Sequence, residues 1–179
     1  MPARTDLVTD PRVRDDLLLA RRGTAFFSRK LGELTEAELS GPSRVPGWTR
    51  AHVVAHVGYH ARALARVVEG VRTGVAAPMY PSARARDEEL ELGATLPAVA
   101  LRHLHSHAAV HLDVEWRDLA PERWELTVAL DDDGVAVPVA ETPWRRAREV
   151  WLGALDLGTG AGVDDLPRAV TDRIAAVPA

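Results

Sequence analysis

The sequence contains no cysteine. Disulfides, thiolate-held metals and a cysteine nucleophile are therefore excluded, any metal has to be held by His, Asp or Glu, and any thiol chemistry has to be brought in by a small molecule. Long apolar runs are missing too. No window approaches about 18 uncharged apolar residues, and the opening "MPARTDLVTDPRVRDD" has no apolar stretch of the secretory kind. A cytoplasmic protein with no membrane partner is the expectation. Nor is there an excess of one charge. The 22 Lys and Arg residues against 26 Asp and Glu give a net charge of −4, and their spread along the chain leaves no patch to neutralise phosphates, so nucleic acid is not an expected partner. Internal repeats and low-complexity segments are likewise absent. What remains is a chain of 179 residues, 46% of them hydrophobic, which is enough for one core and one domain spanning residues 1–179.

Helical periodicity organises most of that length. Asp10 as N-cap and Pro11 at the first helical position open a helix over about 11–33, with apolar residues at Val13, Leu17, Leu18, Phe26, Phe27 and Leu31. "SGPSRVPGW" is turn chemistry. Thr49 then caps an amphipathic run from Arg50 to about Arg72, closed by Gly74. A short helix around 85–92 precedes a long one over about 97–119. "ELTVAL" and "VAVPV", joined by Asp131, Asp132, Asp133 and Gly134, read as a hairpin that Pro138 weakens. "TPWRRAREVWLGALDLGTG" reads as a further helix with Thr142 as N-cap and Pro143 first, and "DDLPRAVTDRIAAV" ends the chain with a short one. The fold class expected is mainly all-α, a four-helix bundle with a long crossover holding a short β-hairpin.

The stretch "RAHVVAHVGYH" sets His52, His56 and His60 four residues apart. With His56 at 0°, the apolar stripe of Val53, Leu64, Val67 and Val71 centres near about 60°, His60 falls at about 40° and His52 at about 320°. His60 thus lies within the stripe, His56 at its edge, and His52 is the most solvated of the three. Two imidazoles on adjacent turns are either hydrogen-bonded boundary residues or ligands of one ion. In "RHLHSHAAVH", His103 shares a face with His107, and His107 with His111, while His105 points nearly opposite His103. Polar contacts across the bundle are the simpler reading there, with metal binding as the other. Glu149 is either an i, i−4 partner of Arg145 or a carboxylate ligand, and Gly153 lies one turn above it on the same face. A glycine inside a helix costs about 1 kcal/mol relative to alanine, so Gly153 needs a reason: close packing, or room for a ligand.

The stretches "GWTRAHVVAHVGYHARAL", "PMYPSARARDEELELGATL", "LRHLHSHAAVHLDVEWRD" and "WRRAREVWLGALDLG" together resemble the mycothiol-dependent maleylpyruvate isomerase family of the DinB-like four-helix-bundle superfamily. The resemblance implies a bundle that holds a divalent metal, usually zinc, and uses mycothiol, a low-molecular-weight thiol, as cosubstrate. It places one ligand on His56 and the carboxylate on Glu149. The third falls on Gly153, which offers no ligand atom, and His60 is the candidate replacement. The implied reaction is thiol addition to maleylpyruvate, bond rotation and thiol loss to give fumarylpyruvate. A dianionic substrate calls for nearby cations, with Arg86 and Arg146, then Arg84 and Arg148, as candidates. Fuller family members carry a C-terminal domain that this chain is expected to lack. Two alternatives stay open: a thiol S-transferase or another biosynthetic or detoxification enzyme of the superfamily, and a catalytically inactive binding bundle favoured by Gly153.

Overall fold

The computed structural model describes residues 5–130 and 135–176. Its elements in chain order are α1 (Pro11–Gly32), α2 (Glu36–Leu39), α3 (Arg50–Thr73), α4 (Ala83–Ala94), α5 (Ala98–Arg117), β1 (Thr127–Ala129), β2 (Ala136–Pro138), α6 (Thr142–Asp156) and α7 (Arg168–Ala175). Four long helices, α1, α3, α5 and α6, make the bundle. It is the mainly α, four-helix architecture that the periodicity predicts.

The starts of α1 and α3 and the end of α3 are set by local chemistry. The Asp10 carboxylate accepts the Arg12 N–H at 2.8 Å, with Pro11 directly after it. At the start of α3, the Thr49 N–H donates to His52 Nδ1 at 3.2 Å while the Thr49 side chain accepts from the His52 N–H, so a histidine plays the part usually taken by Glu or Gln in a capping box. Gly74 ends α3 at φ 82°, a left-handed geometry that glycine adopts without a Cβ penalty.

Beyond shifts of one or two residues at helix ends, two features differ from the sequence reading. α2 is a single turn that apolar periodicity cannot reveal, although Thr35 and Glu38 cap it reciprocally. Thr142 is the first residue of α6 rather than its N-cap. Its hydroxyl is buried, donates to the Val139 carbonyl at 2.8 Å and accepts the Trp116 indole N–H at 3.0 Å. The threonine therefore ties α6 to α5 instead of capping its own helix.

The crossover between α5 and α6 holds the expected hairpin strands. β1 pairs antiparallel with β2, Val128 opposite Val137, while the turn Asp131 to Gly134 lies outside the described residues. Leu130 and Val139 turn inward and fasten the crossover to the core.

Within the bundle, α3 lies along both α5 and α6, and α1 along α6. Two glycines allow close approach. A Cβ on Gly58 would stand 2.7 Å from Leu104 Cγ of α5, and one on Gly153 the same 2.7 Å from Val57 Cγ2 of α3. By contrast α1 and α5 meet only briefly, which leaves a groove between them. No helix among the described residues is long and apolar enough to cross a membrane.

Candidate functional site

A cavity of about 540 Å³ opens between α3, α4 and α6 beneath the crossover. His56 and His60 enter it from α3, Tyr80 from the loop before α4, Arg86 from α4, and Arg145, Arg148 and Glu149 from α6. Spacing explains the convergence. His56 and His60 are one turn apart on α3, and Arg145, Arg148 and Glu149 lie at i, i+3 and i+4 on α6, so each helix offers one face to the same space.

The centre of the cavity is a pair. His56 Nε2 lies 2.9 Å from Glu149 Oε1. With the proton on Nε2 directed at the carboxylate, a neutral His56 keeps its basic lone pair on Nδ1. The Trp48 indole packs at 5.3 Å from the imidazole and limits its movement. Burial by itself would raise the Glu149 carboxyl, but the hydrogen bond from His56 and the positive influence of His60, His56 and Arg146 outweigh it and hold the group at about 2. Glu149 is thus a fixed anion at neutral pH.

His60 is half-buried one turn further along α3, and desolvation lowers it to about 4 despite the opposing pull of Glu149, so it is neutral. Its Nδ1 has no hydrogen-bond partner. Tyr80 is raised to about 12, first by burial and then by the charges of Glu89 and Glu149, so its phenol remains protonated. Arg86 bonds its neighbour Asp87 at 3.1 Å and still lines the cavity, and Arg148 is exposed at the rim.

The other sequence candidates fall elsewhere. His52 is less solvated than His56, at 18% against 33% side-chain exposure, because its role in the capping box and a 3.5 Å approach to Glu91 hold it down. On α5, the His103 and His107 rings lie 5.5 Å apart, tilted by 31°, on the exposed face, and His111 reaches Glu115 at 3.5 Å. His105 is buried and shares a 2.8 Å hydrogen bond with Ser28 of α1. His105 makes a polar contact across the bundle, as in the simpler reading, whereas His103, His107 and His111 make theirs within α5.

Arg146 does not join the cavity. It lies 100° round α6 from Arg145, is 1% exposed, and donates from Nη1 to the Val57 carbonyl at 2.7 Å. Arg84 bonds Glu88 on the exposed side of α4 and is not among the lining residues. Sequence reasoning missed Tyr80, Trp144 and Glu141 as lining residues. Tyr80 stands in "PMYPS", an irregular loop where no periodicity marks an inward side chain.

The donor set does not fit a three-ligand zinc centre. Zinc sites that act on substrates take three protein ligands and leave one position open. Here His56 Nε2 and Glu149 Oε1 are directed at each other, Gly153 supplies no donor, and among the described residues no group of three or more His, Asp or Glu side chains is placed to hold an ion. His60 shares the cavity without completing such a group. Gly153 has its own packing reason in the contact with Val57 and Phe27.

Comparison with known proteins agrees with this architecture. Residues 20–158 match the mycothiol maleylpyruvate isomerase N-terminal domain. The crystal structure of a mycothiol-dependent maleylpyruvate isomerase is similar with a TM-score of 0.88 and 43% identity, over 92% of this chain and 68% of that one. A crystal structure of a histidine-to-alanine mutant of such an isomerase gives the same TM-score at 42% identity, with the same coverage. No curated protein matches. The family match takes in all of α3, α4 and α6, the helices that build the cavity, and the solved structures cover 92% of the chain: the chain belongs to the mycothiol maleylpyruvate isomerase N-terminal domain family.

Proposed function

We propose that the cavity binds a low-molecular-weight thiol of the mycothiol kind together with a maleylpyruvate-like unsaturated oxo-acid, and isomerises the acid from cis to trans. The observation that carries this reading is the His56–Glu149 pair at 2.9 Å, opening on a cavity with Arg86, Arg145 and Arg148 around it. The similarity to solved mycothiol-dependent maleylpyruvate isomerases supports the substrate class.

The chemistry follows from the residues present. His56, oriented by the Glu149 anion, accepts the thiol proton on Nδ1, and Glu149 offsets the imidazolium that results. The thiolate adds to the carbon–carbon double bond, and the electron pair moves to the conjugated oxo group as an enolate. Arg86, Arg145 and Arg148 balance the two carboxylates, and the Tyr80 phenol is a neutral donor for the enolate oxygen. The former double bond is now single and rotates. Collapse of the enolate expels the thiolate, which recovers its proton from His56, so the thiol is regenerated and nothing is oxidised or reduced. No step is assigned to zinc, because the third donor is missing.

Gly153 favours one other reading, in which the same cavity binds the thiol without turnover. Incubating the protein with mycothiol and maleylpyruvate and following the olefinic protons by NMR separates the two. Thiol-dependent formation of the trans product is expected. Saturable mycothiol binding with no trans product would replace isomerisation by binding.

A further inference from the structure

A second cavity, of about 320 Å³, lies in the groove where α1 and α5 separate, and it shares no lining residue with the one above. Its walls are mostly apolar: Ala20 of α1, and Ala109, Leu112 and Trp116 of α5. Arg146 of α6 also lines it, a guanidinium that is 1% exposed. Nη1 is spent on the Val57 carbonyl, but Nη2 is buried with no hydrogen-bond partner. Glu149, the carboxylate nearest in sequence on α6, is engaged with His56. A buried cation with an unused N–H next to an apolar slot is costly unless an acceptor completes it.

We propose that this groove is a binding site for a small monocarboxylate with a compact apolar body, its carboxylate on Arg146 and its hydrocarbon between α1 and α5. Guanidinium geometry suits a planar carboxylate, and the apolar walls suit a short hydrocarbon rather than a sugar or polyol. The rim argues for a single negative charge. Asp113 stands there with Arg21, which bonds Asp113 at 2.6 Å and Asp6 at 2.6 and 2.7 Å. That arginine is already matched by two carboxylates, and Arg117, which also lines the groove, is matched by Asp118 at 2.9 and 3.1 Å, so neither rim arginine is left to balance a second anionic group on the ligand.

The inference is independent of the isomerase reading and is tested by titrating the protein with sodium hexanoate, 1-hexanol and sodium acetate, using 1H–15N NMR. Hexanoate is expected to shift the amides of Thr24, Ala109 and Leu112 and the Trp116 indole saturably, with hexanol and acetate at least tenfold weaker. Ala109→Phe, which fills the groove and leaves Arg146 untouched, is expected to weaken hexanoate at least tenfold. Arg146→Met should equalise hexanoate and hexanol, and the Ala109→Phe result decides if that variant does not fold. Hexanol binding as tightly as hexanoate to the parent, no shift at the groove, or full affinity in Ala109→Phe would overturn the proposal.

Discussion

A Cβ placed on Gly153 would stand 2.7 Å from Val57 Cγ2, and 3.4 Å from the Phe27 ring. The position at which the family resemblance puts a histidine ligand is therefore closed by a stiff β-branched side chain as well as lacking a donor. Gly153→His relieves the helix-interior glycine cost of about 1 kcal/mol but overpacks the α3–α6 contact by about 1–3 kcal/mol. The single variant is expected to melt below the parent and to gain no stabilisation from zinc. Combining it with Val57→Ala opens the space, supplies a third donor and should make the melting temperature rise with zinc. The parent is expected to respond only weakly to zinc and His60→Ala to leave that response unchanged, whereas a clear loss would show that His60 is a ligand after all. Melts of the four proteins with and without zinc check all of this.

Arg148 is exposed at the rim of the cavity. Its contribution to a dianionic substrate is a partly screened attraction. Arg148→Gln is expected to raise KM several-fold with kcat little changed, and the difference from the parent should shrink as salt increases. An unchanged KM at low ionic strength would remove Arg148 from substrate binding.

His105 gives the fold a pH dependence whose sign is fixed. Burial, followed by the charge of Arg146, lowers it from 6.5 to about 4. Between those values the unfolded chain takes up a proton that the folded chain refuses, so its contribution is complete above pH 6.5 and is lost as pH falls towards 4. The difference corresponds to about 3 kcal/mol. His60 acts in the same direction over the same range. Denaturant unfolding at a series of pH values should show a shallower acid decline for His105→Gln than for the parent. Equal slopes would contradict the account.

Most of the fold was legible because apolar periodicity marks long helices and because caps such as Asp10, Thr49 and Gly74 are local signals. The start of α6 was misread because the Thr142 hydroxyl bonds Trp116, a partner that no local pattern announces. In the site, the helical wheel of α3 put His60 nearer the apolar stripe than His56, and the structure leaves both partly exposed to the cavity. The contact of His56 with Glu149 joins two helices far apart in sequence, and only the family resemblance brought those residues together. Arg146 was misplaced for a simpler reason. It is adjacent to Arg145 in sequence, but one residue turns a helix by 100° and carries it from the cavity into the core.

The His56–Glu149 pair is the centre of the account, and the rate of thiol-dependent isomerisation after exhaustive chelation tests it most directly. The parent is expected to keep its turnover, because the thiol proton is taken by an imidazole that the chain orients itself. Glu149→Gln should lose about 100-fold or more in kcat, the usual scale for disabling a general base, with thiol binding retained. Turnover that vanishes on chelation and returns with zinc, or a Glu149→Gln protein as active as the parent, would contradict it.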